Sequence, residues 1–560
     1  MEIVDSVLQR LKILKEIREP RVARWKEGTD FVLGGRGDWE LESEEGRYVP
    51  PRNFSSYANW ALKLMANGVI GNMMSPSFPF FKIRPPQIEV WRAPNVGTYI
   101  EAAEVQLYAE LARGRFYQQA VEYCRDLFTV GHAVSFIFED KAQKRVVFST
   151  RHPKESYIAI GPGEEPDTNF REFREQLGTL IRTFGKEKFP EELISRAEKD
   201  PYQRVTVVHA VFPREERDYT SWMSTSKPFA SYYILPATKT ILEESGYDEF
   251  PYAISRMDTN SGEVYATSPT LDALSDIKMI NQMARTRINL AQFVSDPPFN
   301  IPQSLEGDPE LVPHGYNYYP RVNEIISPIQ MGANYPINVD VEQRTETIIN
   351  RHFNVDFFQM LQASERQMTA REVMERQGEK AAALTPITSA ITNGFLVPTL
   401  KRTFAIMVRQ GRIEPPPKEL MDAGGLPIDF IGPLAQLQRR AIQGDGVLSS
   451  IEVLGALMQM NPEVMDKIQI DNLLLRAMDA TSLPQDVIRS DGDTMKLRKD
   501  RAAQQQAMQQ QAVQAQQQEL LYRNMDRLNK PKNPQSILSE MEQKAQMAQQ
   551  SQKNQQAGIA

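Results

Sequence analysis

The chain has 560 residues, of which 41% are hydrophobic and 24% charged, and its formal net charge is −7. A chain of this length exceeds one hydrophobic core, so we expect roughly three or four domains or layers. The negative net charge argues against a protein that binds nucleic acid tightly over its whole surface, because such binding needs clustered Lys and Arg. It does not exclude a protein past which DNA slides.

Two further classes are disfavoured by the composition. Cys124 is the single cysteine, so an intrachain disulfide is impossible and a reducing compartment is expected. The N-terminal segment lacks the apolar core of a signal peptide. No apolar run reaches the about 18 residues that a membrane-spanning helix needs, so we expect no span.

The first half of the chain predicts an α+β fold, with helix outweighing strand in the chain as a whole. Apolar residues at helical spacing predict an amphipathic first helix, and alternating apolar or β-branched residues predict strands further on. The apolar positions of the first helix are Ile3, Val7, Leu11, Leu14 and Ile17. Helices are predicted over 55–74 and 96–130, strands over 78–83, 132–138, 145–149, 157–160, 205–212 and 231–235, and a strand with one or two helices over 167–200.

The segment Gly262–Pro298 organises the chain, because it predicts one long helix. Ser268 can cap the helix, Pro269 is pre-set for its first position, and Asp296-Pro297 ends it. One face is apolar and the opposite face is polar but weakly charged. The apolar face holds Ala273, Leu274, Ile277, Ile280, Ala284, Ile288, Ala291 and Val294. The polar face holds Asn281, Gln282, Arg285, Asn289 and Gln292.

A non-helical insertion and a second helix follow. Five prolines within Phe299–Tyr335 exclude a persistent helix there. Helix is predicted to resume near Asp340, where Gln343 completes a capping-box-like start, and to bury Val341, Ile348, Ile349, Phe353, Phe357 and Leu361. The helix–insertion–helix pattern is typical of a protein that packs beside copies of itself, although an ordinary core helix of a large domain fits the periodicity equally well.

Beyond a short break at 362–368, Thr369 and Glu372 form a capping box. Helix is predicted from there to Gly411, with breaks at Pro386 and Pro398, and again over 433–490. From about Thr494 the sequence becomes rich in Ala and Gln, which fits either a disordered tail or a continuous helix that only neighbouring copies could bury. Disorder is predicted beyond Lys530.

The sequence holds no recognisable catalytic or metal-binding motif. A phosphate-binding loop of the Walker type is absent. The five histidines lie far apart without metal-ligand spacing, so we interpret each as structural, and Cys124 as a buried apolar residue rather than a nucleophile. We therefore predict no catalytic residue, no metal and no cofactor. The histidines are His132, His152, His209, His314 and His352.

Several motifs in order along the chain resemble the head-to-tail connector (portal) proteins of short-tailed bacteriophages. The resemblance covers roughly residues 20–501, and it departs from the family pattern at Ala266-Thr267, where a Gly-Arg pair is expected. The motifs are Trp25 with Pro50–Arg52, Gly71-Asn-Met-Met-Ser-Pro-Ser77, Phe170-Arg-Glu-Phe173, Val205-x-x-x-His209-Ala-Val-x-Pro213-Arg214, Glu249-x-Pro251-Tyr252-x-x-x-Arg256, Gly262-Glu263-x-Tyr265-x-x-Ser268-Pro269 with Ala273-Leu274-x-Asp276, Met368-Thr-Ala-x-Glu372-Val373-x-x-Arg376, and Gly432-Pro-Leu-Ala435.

The resemblance implies a phage portal fold in a ring oligomer, with a wing, stem, clip and crown and a possible C-terminal helical barrel. By similarity the ring is a dodecamer. The implied divisions are 1–266 for the wing, 267–295 for the first stem helix, 296–336 for the clip, 337–361 for the second stem helix, 362–369 for the tunnel loop, 370–493 for the wing return and crown, 494–530 for the candidate barrel helix and 531–560 for a disordered tail.

The resemblance also implies partners and surfaces. The ring would sit at one capsid vertex of the virion, having assembled in the host cytoplasm. It would pass double-stranded DNA and contact the terminase large subunit, the major capsid and scaffolding proteins, and tail adaptor or nozzle proteins, with no membrane partner. The tunnel-loop residues expected at the DNA are Gln362, Arg366 and Gln367; those of the stem channel face are Asn281, Arg285, Asn289 and Gln292; those of the clip interface are Tyr316, Tyr318, Tyr319 and Arg321.

Two other functions remain open from the sequence. The first is an enzyme of the same packaging assembly, a terminase or nuclease, which would need a phosphate loop or a carboxylate cluster. The second is a non-conducting scaffold or internal virion protein, which would form no ring with a central hole.

Overall fold

The computed structural model divides the chain into two units, Met1–Gly446 and Val447–Ala560. In the first unit it describes residues 3–34, 39, 53–84, 94–216, 223–303, 308–310, 318, 325–329, 335–362, 383–422 and 427–443. In the second unit it describes residues 491–528, 535, 538–539 and 541–547. In the described part of the chain, no helix is both long and apolar enough to span a bilayer.

The first half of the chain is α+β, as its periodicity predicted. Its helices are α1 (Ile3–Val32), α2 (Tyr57–Met73), α3 (Pro94–Arg113), α4 (Phe116–Val130), α5 (Leu177–Phe184) and α6 (Glu191–Lys199). Its strands are β1 (Phe81–Ile83), β2 (His132–Asp140), β3 (Arg145–Arg151), β4 (Ser156–Ile160), β5 (Pro166–Gln176), β6 (Arg204–Pro213), β7 (Phe229–Leu235), β8 (Thr240–Tyr247) and β9 (Tyr252–Arg256).

Strands β4 to β8 form one antiparallel sheet in chain order, and both faces of this sheet are covered. Because side chains alternate along a strand, Val208 of β6 packs with Val7 and Leu11 of α1. Its neighbour Val207 points to the other face, where it packs with Leu193 of α6. The sequence did not predict β8, whose alternation is interrupted by charged and small residues.

A second, three-stranded sheet has the order β3-β2-β9 and separates two cores. Val134 and Phe136 of β2 face an aromatic cluster that includes Trp25. Ala133 and Ile137 face the opposite way, into the large helical core. Strand β2 therefore joins the α+β part of the chain to the helical part.

The second half of the chain is largely helical. Its helices are α7 (Pro269–Asp272), α8 (Leu274–Ser295), α9 (Tyr335–His352), α10 (Val355–Gln362), α11 (Thr385–Ile391), α12 (Val397–Arg409), α13 (Lys418–Asp422) and α14 (Pro433–Gln443), and a π-helix spans Thr392–Leu396. Three short strands complete it: β10 (Phe299–Asn300), β11 (Ser327–Pro328) and β12 (Ile428–Phe430). Strand β12 pairs with β1, and this pair joins the two halves of the chain.

The predicted helix break at Pro386 is confirmed, because a turn at Leu384 precedes α11, whereas the break predicted at Pro398 is wrong. Pro386 stands in the first turn of α11, where the missing N–H has no helical partner to lose. Pro398 stands in the first turn of α12, directly after the π-helix. The wider π turn accommodates a ring that an α-helix interior would not tolerate. Helix therefore runs from α11 through the π-helix into α12.

The start predicted for the second long helix is also wrong. Helix α9 begins at Tyr335, with Pro336 directly after it, so Asp340 lies within the helix instead of capping it. Asp340 pairs with Arg344, one turn later, at 3.1 Å. This helix and the next are separated at Asn354, which has a positive φ of 51°. The segment predicted as one helix over 337–361 is thus two helices.

The packing of α10 on α2 gives the first testable prediction. A Cβ at Gly68 would lie 2.2 Å from the Cδ1 atom of the buried Phe358 ring, whereas one at Gly71 would meet nothing within 4 Å. We expect Gly68→Ala to lower the free energy of unfolding by about 1–3 kcal/mol through overpacking. The control Gly71→Ala should raise it by about 0.5–1 kcal/mol, because Ala favours the helix.

Chemical denaturation at one matched protein concentration would measure both variants. Equal effects of the two substitutions would contradict this account of the α2–α10 contact.

In the second unit, α15 (Asp491–Leu528) is one long helix. Its central side chains are exposed, Met508 by 70% and Val513 by 54%. Of the two readings of the Ala/Gln-rich tail, the helical one agrees with the structure; burial against neighbouring copies stays a prediction. Residues 541–547 are also helical, where disorder was predicted. Their Met, Glu, Gln, Lys and Ala residues are good helix formers, which explains the difference.

Candidate functional site

The long helix begins as its sequence predicted. The Ser268 hydroxyl accepts a hydrogen bond from the Leu271 amide at 3.2 Å and donates one to the Thr129 carbonyl at 2.8 Å. Pro269 occupies the first turn, as expected for a residue without an N–H. A slight irregularity at Ala273 separates the four-residue α7 from α8. The cap ties the start of the helix to the end of α4.

Helices α8 and α9 form an antiparallel pair. Strands β10 and β11 pair antiparallel beyond the end of α8, with Phe299 opposite Pro328. Closer to the body of the protein, Arg287 of α8 contacts Glu342 of α9 at 3.0 Å. Residue numbers thus rise along one helix while they fall along the other. We call α8 and α9, with the β10–β11 pair, the helix pair.

Only the first half of α8 is buried. Its buried residues are Leu274, Ile277, Ile280 and Ala284. The predicted apolar face continues beyond Ala284, but Ile288 is 40% exposed and Val294 is 69% exposed. Val341 and Ile348 of α9, predicted as buried, are 38% and 39% exposed. The part of the helix pair farther from the body therefore presents apolar side chains to solvent in the single chain.

A second exposed apolar set lies on another side of α8. Met279 is 41% exposed and Phe293 is 44% exposed. They are fourteen residues apart, which is about four helical turns, so they share one side of the helix. Thr286, midway between them, is exposed as well.

On the polar face of α8, the residues nearer its start contact the segment before α2, and those farther along are exposed. Asn281 accepts hydrogen bonds from the amides of Phe54 (2.7 Å) and Ser55 (3.2 Å) through its side-chain oxygen, and so anchors the chain leading into α2. The guanidinium of Arg285 lies 5.5 Å from the centre of the Phe54 ring. Asn289 and Gln292, one and two turns farther along, are exposed.

The helix pair carries few unpaired cations. It holds five basic residues (Lys278, Arg285, Arg287, Arg344 and Arg351) and four acidic ones (Asp276, Asp340, Glu342 and Glu346), so its net charge is 5 − 4 = +1 with histidine neutral. Three of the cations are in ion pairs: Lys278 with Glu27, Arg287 with Glu342 and Arg344 with Asp340. Burial, together with the nearby Glu342 carboxylate, raises the pKa of Glu346.

The remaining predicted contact residues are only partly described. Gln362 is the last residue of α10, and Tyr318 is 86% exposed. Arg366 and Gln367 of the predicted tunnel loop, and Tyr316, Tyr319 and Arg321 of the predicted clip interface, lie outside the described residues. So do the capping box at Thr369 and Glu372, and residues 444–490 of the predicted crown helix.

Two of the described histidines, His132 and His209, and the cysteine Cys124 are buried. His209 is buried, with its ring nitrogens 2.8 Å from the Tyr252 hydroxyl and 3.1 Å from the Ser231 hydroxyl. His132 is buried between Trp25 and Tyr265. Burial raises the pKa of the Cys124 thiol to about 12. Within the described residues, no three His, Cys, Asp or Glu side chains are grouped so as to hold a metal ion. His314 is outside that part of the chain.

The sequence matches a known family over most of its length. Residues 4–488 match the family described as bacteriophage head to tail connecting protein. A relative in Bordetella phage BPP-1, named "Probable portal protein", is 28% identical over 533 residues, covering 93% of this chain and 94% of the relative. The "Portal protein" of Salmonella phage epsilon15 is 26% identical over 520 residues, covering 90% of this chain and 92% of that protein.

Two solved structures of gene transfer agent particles also match, but weakly. A chain of the neck of an empty particle aligns with a TM-score of 0.34 and 11% identity over 75% of this chain and 95% of its own length. A chain of the native virion aligns with a TM-score of 0.31 and 11% identity over 72% and 86%. Scores this low do not establish a common fold.

Proposed function

Because this chain belongs to the family of bacteriophage head to tail connecting proteins, we propose that copies of it form a ring at one capsid vertex, through which double-stranded DNA enters and leaves the capsid. The connector function itself follows from the family and from two portal relatives that each align over more than nine-tenths of their length. The ring, which we propose to be a dodecamer, and the surfaces assigned below go beyond the family assignment and are proposals.

The proposal of a ring rests on the exposed apolar side chains of the helix pair. An isolated helix pair gains nothing by exposing Met279, Phe293 and Val294, since each loses the free energy of burial. Neighbouring copies standing side by side would cover these side chains. The helix pair would then be the stem of the ring.

The polar side of α8 suits the wall of a DNA channel. Asn289 and Gln292 are exposed amides, which can contact water or phosphate without the strong attraction of a cation. Each phosphate neutralised by Lys or Arg adds affinity and would hold the DNA in place. We assign Asn289 and Gln292 to the channel, with Arg285 and Asn281 near its wing end, and Gln362, Arg366 and Gln367 to a tunnel loop at the DNA.

The connection between the two helices is the proposed docking surface. We assign Tyr316, Tyr318, Tyr319 and Arg321 to contacts with the terminase large subunit during packaging and with tail adaptor or nozzle proteins afterwards. The 86% exposure of Tyr318 supports this, because exposed aromatics are enriched in interfaces. Capsid and scaffolding proteins would contact the outside of the ring. We propose a structural role without catalysis, with the ring residing in the virion after assembly in the host cytoplasm.

Variants of the exposed apolar set test the ring. We expect the double substitution Met279→Glu with Phe293→Glu to leave the chain monomeric at concentrations where the unchanged chain forms rings, because each interface would bury unpaired carboxylates. Gln292→Glu adds a charge to the polar side of the same helix and should still give rings. Mass photometry and end-on negative-stain images would measure both.

Three results would count against the proposal. Rings formed by the double variant would remove this face from the subunit interface. A chain that stays monomeric under all assembly conditions, or particles without a central hole, would favour an internal scaffold. Nucleotide hydrolysis or DNA cleavage by the purified chain would favour the packaging-enzyme alternative.

A further inference from the structure

A small pocket lies on the α+β part of the chain, well away in sequence from the helix pair. It has a volume of about 270 Å³ and is formed where the α3–α4 junction meets the β2–β3 hairpin. This volume is just below the roughly 300–1,000 Å³ of sites for drug-sized ligands, so it suits a group of about one residue. Its lining comprises Gly114, Arg115, Gln119, Phe138, Arg145, Val147, Phe148 and Ser149.

The pocket combines a cationic rim with an apolar floor. Arg115 is exposed, and its side chain makes no hydrogen bond or ion pair to another described residue. Arg145 contacts Asp140 through its Nε atom at 3.3 Å, and its side chain is 30% exposed. Phe148 is buried, and Phe138 and Val147 are half-buried. The lining therefore combines two arginines, one of them paired with Asp140, with aromatic and aliphatic side chains.

The backbone at Arg115 has an unusual conformation. Its φ is 61°, in the left-handed region that glycine adopts most easily. The neighbouring residue, Gly114, is a glycine for a different reason. A Cβ there would lie 2.5 Å from the Val146 carbonyl oxygen, so only glycine fits the space. If position 115 served the turn alone, glycine would suit it better. A strained residue at a pocket is a reason to look for a role of its side chain.

The start of α4 adds to the positive character of the pocket. Arg115 is the residue that precedes this helix, no side chain caps the first turn, and no acidic residue lies in that turn. The free amides and the helix dipole at this end favour a negative group. The pocket thus lies beside an uncapped helix start, and its lining offers two arginines to an anion and aromatic and aliphatic side chains to the group that carries the anion.

We propose that this pocket binds the carboxylate at the end of a partner protein chain whose last residue is apolar. The guanidiniums of Arg115 and Arg145 would bind the carboxylate, and Phe138 and Val147 would contact the terminal side chain. Capture of a chain-end carboxylate is a known mode of peptide recognition. A DNA backbone fits less well, since it needs an extended row of cations rather than one recess with an apolar floor. This assignment is independent of the proposed channel.

Fluorescence anisotropy on the full chain tests the proposal with three labelled probes. The first is the peptide Gly-Ser-Gly-Leu with a free carboxylate, the second is its C-terminal amide, and the third is an amidated peptide with one internal Glu. We expect the free carboxylate to bind at least about tenfold more tightly than the other two, because hydrogen bonds to charged groups are the strong ones. A duplex DNA oligonucleotide is the competitor.

Two variants locate the binding. Arg115→Gly removes the guanidinium and suits the positive φ, so it should weaken binding of the free carboxylate at least about tenfold without lowering the unfolding temperature. Lys141→Gln removes one exposed cation of the same hairpin that does not line the pocket, and should change binding less than about twofold.

Four results would overturn the proposal. They are no binding of the free carboxylate, equal binding of acid and amide, unchanged binding by Arg115→Gly, and displacement by duplex DNA that itself depends on Arg115. Equal binding of the internal Glu probe would overturn the chain-end assignment in favour of an acidic side chain.

Discussion

Replacing Arg18 with methionine is expected to lower the free energy of unfolding by about 3–5 kcal/mol. The Nη1 atom of Arg18 donates to the carbonyl oxygens of Pro153 (3.2 Å), Lys154 (2.8 Å) and Ser156 (3.1 Å). Its Nη2 atom donates to the Tyr157 hydroxyl at 3.1 Å, and the guanidinium lies 3.8 Å from the centre of that ring. Methionine fills the space but donates to none of these oxygens. The Pro153 carbonyl keeps the Ser156 amide as a donor, and each buried group that is left unpaired costs about 1–3 kcal/mol.

The adjacent residue provides the control. Ile17 is apolar but 45% exposed, whereas Arg18 is 7% exposed. Ile17→Ala should therefore change stability by less than about 0.5 kcal/mol. Urea denaturation of both variants, at the same protein concentration as the unchanged chain, measures the difference. A larger loss for Ile17→Ala than for Arg18→Met would mean that α1 is rotated relative to the arrangement described above.

Acidification below pH 6.5 is expected to destabilise the chain through two buried histidines, by about 4 kcal/mol at pH 5. Burial, reinforced by the nearby Arg18, lowers the pKa of His132 from 6.5 to about 3. Burial likewise lowers the pKa of His209 well below 6.5, with Arg171 and Arg151 adding to the shift. Between 6.5 and these lower values the unfolded chain binds protons that the folded chain does not. Each histidine then costs about 1.4 kcal/mol for every pH unit.

The sign of this effect is fixed by the direction of the shifts. The stabilisation is fully present above pH 6.5 and is lost as the pH falls towards the folded-state values. Unfolding free energies should change little between pH 7.5 and pH 6.5 and should fall below pH 6.5, with a slope that approaches two protons from these residues towards pH 5. Carboxylates titrate mainly below this range, so the histidines dominate it.

The variant His132→Phe isolates one of the two contributions. Neither ring nitrogen of His132 has a hydrogen-bond partner of good geometry among the described residues, so Phe removes the titration and gives up at most a weak interaction with the Val130 backbone. The slope of this variant between pH 6.5 and pH 5 should be smaller by about one proton. An unchanged slope would show that His132 is not buried in the folded chain.

Local patterns in the sequence determined much of the architecture. Capping chemistry predicted the Ser268-Pro269 start of the long helix. Periods of two or 3.6 residues predicted the strands over 132–138, 145–149, 157–160 and 205–212 and the helix–insertion–helix order. These features depend on residues near one another in the chain, so one sequence suffices to predict them. The ordered motifs also identified the family, which the match over residues 4–488 shows.

The candidate site was only partly accessible from the sequence. The polar composition of α8 could be read from its period, but nothing local shows that Asn281 is occupied by the amides of Phe54 and Ser55, more than two hundred residues earlier. The exposure of Met279 and Phe293 was not predicted either, because a helical period shows which residues share a face and not which face is covered.

Arg18 shows most clearly what only the tertiary structure decided. The apolar pattern placed Ile17 on the buried side of α1, yet the buried side chain is Arg18, and a charged residue is buried only where oxygen atoms from a distant segment meet it. Those oxygens belong to residues 153–157. Apolar burial is set by periodicity along one helix, whereas the partners of a buried charge come from another part of the chain and exist only once that part has folded against it.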